Sequence, residues 1–484
     1  MKNYIRRRIP SFLLAGFLAL ASCAVNPVTG QQQLMLLSEQ DEFKLGRSTD
    51  QSVVDQYGIY ADSALQNYLQ SMGVAIGRIS HRAALDWQFK VMDTPVINAF
   101  AAPGGYVYVT RGLLAALNDE AELAGVLGHE IGHVTARHSA QQYSNMMMAN
   151  IGLSLSQAVL GNYGDMLGPM VEKGAELLFL KFSRDDEREA DALGVEYATR
   201  TGYDAGRMAD FFITLQRQPG EGGQQAARLP EFFSTHPNPL DREATVRALA
   251  RKWQAQTSGQ PFRVNRAQFL ARVDGLVYGD DPRKGFREGN WYYLPQYEAK
   301  LPIPSGWKLE REGNNLQLSH PQGRAVSIVA IRPGSNLTQV VATFLKSTGA
   351  NVQQERSLTT DGMPTRQLVS VLTNGQQRAV IVSHFYQKGS DVFAFHGMTS
   401  VADYSALSEV LQQPATGFSV LTDRTLLNRQ PQRIAVTTLA KASTLEKTLL
   451  AMKIDREQWA TIAWLNGMQL GEVLKAGEKI KVIK

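Results

Sequence analysis

The stretch that decides the fold is ELAGVLGHEIGHVTARH, residues 122–138. Its apolar residues keep a helical period, and no proline interrupts it. His129 and His133 stand four residues apart and therefore share one face of an α-helix. Both imidazoles can bind one metal ion, while Glu130 is offset by one position and can take a proton from a water on that ion. The pattern predicts a zinc site, with two surface histidines on an amphipathic helix as the alternative.

A second acidic segment, SRDDEREADALG at residues 183–194, offers a third ligand. Glu187 and Asp191 stand at i and i+4, which places both carboxylates on one helical face. Glu189 lies about 200° round from Glu187 and is expected to face away. The chain thus presents two histidines on one helix and an acidic face on another, which is the donor set of a zinc hydrolase.

Four motifs in this order resemble the HtpX and CAAX-prenyl-protease type of zinc metallopeptidase, a gluzincin family. Besides HEIGH and SRxxExxAD, they are the run at residues 98–112 and the sequence STHP at residues 234–237, followed by Arg242. The resemblance covers roughly residues 35–250. It implies one zinc ion per chain, held by His129, His133 and Glu187, with Asp191 supporting a ligating histidine.

The same resemblance implies that His236 faces the zinc cleft. In that position it either stabilises the oxyanion or occupies the fourth metal position in a closed state, and we group it with Arg242 and Glu130 as catalytic candidates. A purely structural loop is the alternative. Five other histidines have no partner at ligand spacing and are interpreted as structural or surface residues: His81, His138, His320, His384 and His396.

Alternating apolar residues predict strands near residues 87–91 and 106–109. The turn Pro103-Gly104-Gly105 is expected to deliver the second strand to the edge of a sheet. The resemblance implies that this edge pairs with extended substrate, whereas a plain core strand is the alternative. The candidate substrate-binding residues are Asn98, Ala99, Gly105, Tyr106 and Val107.

The first 22 residues are interpreted as a targeting segment, with basic residues followed by a short apolar run. Ten apolar residues are too few to span ~30 Å of hydrocarbon. The end of the segment, Leu-Ala-Ser-Cys23, resembles a bacterial lipobox, and Cys23 is the only cysteine. We therefore predict a lipoprotein that is anchored at Cys23 in the inner leaflet of the outer membrane and faces the periplasm. An ordinary signal peptide with an incidental cysteine is the alternative.

Composition limits the other classes of partner. The formal net charge of +5 includes four basic residues of the targeting segment, so the remainder is nearly neutral, and no basic stripe indicates nucleic acid.

A long apolar segment at residues 146–180 contains no window of 18 apolar residues. Core helices are the preferred interpretation of that segment, and a lid or a membrane-leaning surface is the alternative.

The length predicts about three domains in an α+β protein. We expect a signal peptide at 1–22, a tether at 23–37 and a mainly helical metallopeptidase domain with a small edge sheet at 38–255. A linker at 256–287 leads to an α+β sandwich at 288–428, which weakly resembles the PsbP-like fold. Residues 433–484 resemble a βααβ LysM module, through which peptidoglycan binding is an open possibility.

The sequence thus predicts a zinc-dependent endopeptidase that cleaves misfolded or stalled envelope polypeptides. The alternative is a latent protease that acts mainly as a chaperone or assembly scaffold for outer-membrane proteins.

Overall fold

The computed structural model describes residues 23–153, 181–219, 232–236, 241–257, 261–313, 315–374 and 377–484. The predicted signal peptide and residues 154–180 of the apolar segment lie outside these ranges. The described chain is a mixed α/β protein with many helices and several separate sheets. No helix within the described ranges is long and apolar enough to cross a membrane.

The first unit is mainly helical, as expected. Ser38 accepts a hydrogen bond from the backbone N–H of Asp41 and begins the first helix. The second helix buries an apolar stripe that includes Leu65, Leu69 and Ile76. The helices of this unit are Glu39–Tyr57, Ser63–Gly77, Arg111–Ala116, Glu120–Thr135, His138–Leu153, Arg184–Arg200, Arg207–Gln216, Phe232–Thr235, Arg242–Gln256 and Arg266–Val273.

The helix Glu120–Thr135, called the HEIGH helix below, is the centre of the unit. Asp119 caps it by accepting a hydrogen bond from the N–H of Glu122, and every residue of the helix is buried. A helix that is covered on all sides belongs to a core. The predicted helical stretch does not continue to residue 138, because Arg137 has a positive φ of 63° and a new helix begins at His138.

A three-stranded sheet lies beside the HEIGH helix. Its strands are Gln88–Met92, Ala99–Ala102 and Tyr106–Thr110, and the last of these lies in the middle. It pairs in parallel with Gln88–Met92 and antiparallel with Ala99–Ala102. The prediction that Tyr106 and Val107 lie on an edge strand is therefore wrong. The turn at Gly104 and Gly105 folds the chain back on Ala99–Ala102, and that strand lies at one edge of the sheet, with Gln88–Met92 at the other.

Two segments that were expected to be connectors are structured. In the predicted tether, Cys23–Val25 and Gln32–Leu34 form a hairpin, and Met35 is buried. In the predicted linker, the helix Arg266–Val273 buries Phe269 against the core of the first unit. The linker prediction missed this helix, because Phe269 and Leu270 pack on a core that is built from distant parts of the sequence.

Residues 286–420 form the accessory domain. Its seven-stranded antiparallel sheet has the order Asn351–Thr360, Met363–Asn374, Gln377–Lys388, Asp391–Ser400, Ala325–Arg332, Asn315–Ser319 and Lys308–Glu312. A four-stranded sheet has the order Ser419–Val420, Ala299–Pro302, Trp291–Leu294 and Phe286–Glu288. The helices Leu337–Thr348 and Tyr404–Thr416 pack against the larger sheet.

Residues 433–484 form the C-terminal module. The strands Ile434–Thr438 and Lys479–Ile483 pair antiparallel around the helices Leu445–Ala451 and Trp459–Leu465, which gives the predicted βααβ order. A short extra pair, Ser443–Thr444 with Val473–Leu474, closes the opposite end. The likeness to LysM itself remains a prediction.

Candidate metal centre

The two histidines of the HEIGH helix point at the same place. Their Nε2 atoms lie 3.1 Å apart, and both side chains are buried. Glu130 is also fully buried, and neither of its carboxylate oxygens has a hydrogen-bond partner among the described residues. A carboxylate that is buried without partners is costly, and a water held between Glu130 and a metal ion would remove that cost.

A second helix, Arg184–Arg200, carries Glu187 to the two histidines. Its N-terminus is fixed by a capping box between Ser183 and Asp186. Small residues allow the close approach: a Cβ atom on Gly128 would lie 2.8 Å from the carbonyl oxygen of Gly194. The space that the missing side chain of Gly128 leaves is therefore filled by the neighbouring helix.

Glu187 reaches both histidines. Its Oε1 atom lies 3.3 Å from Nε2 of His133, and its Oε2 atom lies 3.6 Å from Nε2 of His129. The side chain is fully buried. The structure thus brings together the three ligand candidates that the sequence predicts.

His236 joins the same group. Its Nδ1 atom lies 2.9 Å from Oε1 of Glu187 and 3.2 Å from Nε2 of His129. One ligand atom from each of His129, His133, Glu187 and His236 lies within 4.8 Å of the others. The Nε2 atom of His236 also lies 3.6 Å from Oε1 of Glu130. His236 therefore lies in the cleft among the three ligand candidates, as the resemblance implies.

Asp191 and Arg242 lie behind the ligands. Asp191 Oδ1 is 2.9 Å from Nδ1 of His129, on the side of the ring away from the converging Nε2 atoms. Arg242 donates to both oxygens of Asp191, at 2.8 and 2.6 Å, and lies 3.1 Å from Oε2 of Glu187. These contacts favour a supporting role for Arg242 rather than contact with the reacting atoms.

The protonation pattern suits a divalent cation. Burial lowers the pKa of His133 well below its usual value, which keeps the imidazole neutral and able to bind metal. Burial opposes the charged form of Glu187, but His236, His133 and His129 outweigh it and hold the pKa of this carboxyl well below its usual value. Burial raises the pKa of Glu130. His133 and Glu187 therefore offer a neutral imidazole and a carboxylate anion, both of which are zinc ligands.

Sequence reasoning missed His138. This residue is buried, and its Nδ1 atom lies 3.0 Å from Nδ1 of His133. Its Nε2 atom lies 3.2 Å from Oε2 of Glu189, a residue that was expected to face away from the site. Glu189 is not among the converging ligands. His138 stands five residues after His133, and this spacing does not place two residues on one face of a helix. The HEIGH helix also ends at Thr135, between the two histidines.

The predicted substrate-binding residues divide between two strands. Ala99 lies on the edge strand, and Asn98 immediately precedes it. The Oδ1 atom of Asn98 is buried without a hydrogen-bond partner among the described residues. Tyr106 and Val107 lie on the central strand, and Gly105 lies in the turn with a φ of 101°. Gln88–Met92 and Ala99–Ala102 are the two edge strands of this sheet, and Ala99–Ala102 is the one that carries a predicted substrate-binding residue.

A buried helix with two histidines and an adjacent glutamate, completed by a glutamate from a second helix, defines the class of zinc metallopeptidases with an HExxH motif. Residues 63–250 match the sequence profile of Peptidase family M48. This region is therefore similar to family M48, and the predicted enzyme class, a metalloendopeptidase, is confirmed.

Curated relatives match over this region. The chain is 34% identical over 191 residues to the mitochondrial metalloendopeptidase OMA1 of Arabidopsis thaliana, covering 39% of this chain and 37% of the relative. It is 29% identical over 224 residues to a putative beta-barrel assembly-enhancing protease of Vibrio cholerae, covering 44% and 46%. The chain thus spans less than half the length of these two relatives. Neither name mentions HtpX or a CAAX protease, so the narrower resemblance is not confirmed.

Among solved structures, a cyanobacterial PsbP from Synechocystis is similar over 27% of this chain and 91% of its own chain. The sequence identity is 15%, and the TM-score is 0.24.

Proposed function

We propose that the protein is a zinc-dependent endopeptidase of the bacterial envelope, with one zinc ion held by His129, His133 and Glu187. One observation carries the proposal: these ligand atoms and that of His236 converge within 4.8 Å in a buried site. The unpartnered carboxylate of Glu130 lies beside them. A structural zinc site has no use for a buried base next to the ligands, whereas a hydrolytic site requires one.

In peptide-bond hydrolysis, each residue of the site has a separate role. Zinc, when bound, lowers the pKa of a water toward ~7 and polarises the scissile carbonyl. Glu130 takes the proton of the attacking water and returns it to the leaving amine. Since burial raises the pKa of Glu130, its carboxyl group is suited to carry that proton between the two events. Asp191 and Arg242 fix the orientation of His129 and the charge of Glu187.

The substrates would be polypeptides in extended form. The strand Ala99–Ala102 is an edge strand of its sheet and packs beside the HEIGH helix. An extended chain can add to such an edge through backbone hydrogen bonds. The relatives named beta-barrel assembly-enhancing protease support misfolded or stalled outer-membrane and periplasmic proteins as the substrate class.

The sequence supports an envelope location through lipidation at Cys23 and anchoring in the inner leaflet of the outer membrane. Acyl chains supply the membrane affinity in such proteins. Labelled palmitate should enter the wild-type protein but not Cys23→Ser, and incorporation into the variant would refute the anchor. Peptidoglycan remains a candidate partner of the C-terminal module.

Turnover of unfolded casein tests the catalytic proposal. We expect cleavage by the purified protein, loss of cleavage after chelation, and recovery when zinc is added back. Cleavage that persists in the metal-free protein would contradict the proposal.

A second candidate function is a latent protease that serves mainly as a chaperone or scaffold. The position of His236 favours it, because this side chain lies among the ligands where water and substrate must enter. His236→Ala tests the gate. Basal casein cleavage should rise if His236 closes the site, and fall by on the order of 10²-fold if it stabilises the oxyanion. An unchanged rate would indicate a structural role.

A further inference from the structure

The two ligating histidines are supported in different ways. His129 contacts a carboxylate directly through Asp191, whereas His133 contacts another histidine, His138, at 3.0 Å. The far nitrogen of His138 lies 3.2 Å from Glu189. A continuous line of side chains therefore leads from His133 through His138 to Glu189.

The hydrogen positions along this line follow from the geometry. The Nε2 atom of His133 faces the other ligands, so a metal bound there leaves the proton on Nδ1. That N–H can donate only if Nδ1 of His138 accepts, which places the His138 proton on Nε2. Nε2–H then donates to the carboxylate of Glu189, which is an acceptor when ionised. Every donor in the line meets an acceptor.

The backbone holds His138 in this place. The HEIGH helix ends at Thr135, and the left-handed residue Arg137 turns the chain so that His138 begins the next helix. Arg137 is fixed by a charged hydrogen bond to the buried carboxylate of Glu42. Phe182 stacks on the ring of His133 with centroids 4.0 Å apart and limits its rotation.

We propose that His138 is a positioning residue for His133 and that Glu189 anchors it. His138 selects the tautomer and ring orientation in which Nε2 of His133 faces the metal. Outer partners of this kind typically change metal affinity 10–100-fold. The proposal rests on the proposed zinc site and adds two residues that the helical pattern did not identify.

Zinc affinity, measured by competition with a chromogenic chelator, is the primary test. His138→Leu removes the acceptor and should weaken zinc binding ~10–100-fold. His138→Asn keeps an acceptor oxygen near the position of Nδ1 and should recover most of the affinity. Glu189→Leu should weaken binding less, and its effect should not add to that of His138→Leu, because both act through one line of contacts.

One control variant and two further measurements distinguish a loss of positioning from general structural damage. His384→Leu changes a buried histidine of the accessory domain and should leave zinc affinity unchanged. The unfolding midpoint of each metal-free variant reports structural damage, and the absorption spectrum of the cobalt-substituted protein reports ligand geometry. His138→Leu should alter the cobalt spectrum, whereas His138→Asn should not.

Wild-type affinity in both His138→Leu and Glu189→Leu would overturn the proposal, as would equal losses in the Leu and Asn variants of His138. If His138→Leu does not fold, His138→Asn and Glu189→Leu still decide between these outcomes. Failure of the zinc site itself gives a different result, because then the wild-type protein and Glu187→Ala would bind zinc equally poorly.

Discussion

The accessory domain and the C-terminal module follow the metallopeptidase domain in sequence but relate to it differently. The accessory domain has two hydrophobic clusters of its own, and both are confined to residues 292–418. The buried apolar residues of the C-terminal module, including Trp464, Ile480 and Val482, belong to the same core as the HEIGH helix. In sequence order, the peptidase unit is followed by a domain with its own hydrophobic clusters and then by a module that shares the core of the peptidase unit.

Polar contacts show the same difference. Lys481 is fully buried, and its Nζ atom donates to the carbonyl oxygens of Ala115 and Leu117, each at 2.7 Å. The indole N–H of Trp464 donates to the carbonyl oxygen of Thr214, also at 2.7 Å. A peptidoglycan-binding role for the module would have to use a face other than this one. Chain order is therefore a poor guide to which segments unfold together.

Removing residues 433–484 should have the largest effect of these changes on the stability of the peptidase unit. Calorimetry of the full chain should show one transition for the peptidase unit with the C-terminal module and another for the accessory domain. The truncated protein should lose the first transition, because its core would be exposed to water, and keep the second. An unchanged peptidase transition would contradict the shared core.

Phe393→Ala tests the independence of the accessory domain. Phe393 is fully buried in that domain, so its truncation should cost about 3–5 kcal/mol of the free energy of unfolding. The loss should appear only in the accessory transition, and zinc affinity should not change. A matching shift of the peptidase transition would mean that the two units unfold together.

Lys481→Met tests the polar contact of the module. The substitution leaves two backbone carbonyls without their donor, and we expect a loss of about 1–3 kcal/mol in the peptidase transition. Burial lowers the pKa of Lys481 to about 7, so relief of the buried charge offsets part of the loss. Lys475→Met, on the exposed loop of the same module, is the matched control and should have no effect.

Acid should destabilise the accessory domain through its buried histidines. Burial lowers the pKa of His396 to about 3 and that of His384 to about 4. The unfolded chain therefore binds protons below about pH 6.5 that the folded domain does not, so stability falls as the pH decreases.

Each histidine contributes up to about 1.4 kcal/mol per pH unit below pH 6.5, until its folded pKa is reached. His396→Gln should flatten the dependence of the accessory transition on pH between 6.5 and 4, whereas His320→Gln at a partly exposed turn should not. An unaltered slope in His396→Gln would show that His396 is not the titrating group.

Local periodicity predicted much of the metal centre. His129 and His133, like Glu187 and Asp191, share a helical face because they are four residues apart, and the structure brings all four together. The position of His138 could not be predicted in this way, since it depends on the left-handed backbone of Arg137.

The remaining errors concern contacts between distant parts of the chain. The pattern of Tyr106 and Val107 predicts a strand, but its central position depends on pairing with Ala101 and Gln88 on either side. The resemblance of residues 433–484 to a separate module likewise does not indicate that Ile480 and Val482 pack on the peptidase unit.

The central claim is that ligand and base are separate residues in one zinc site. Zinc content and casein turnover, measured together on Glu130→Gln and Glu187→Ala, test it most directly. Glu130→Gln should keep close to one zinc per chain and lose turnover, because Glu130 lies outside the converging ligands. Glu187→Ala should lose both. Loss of zinc from Glu130→Gln, or turnover that survives in it, would contradict this account.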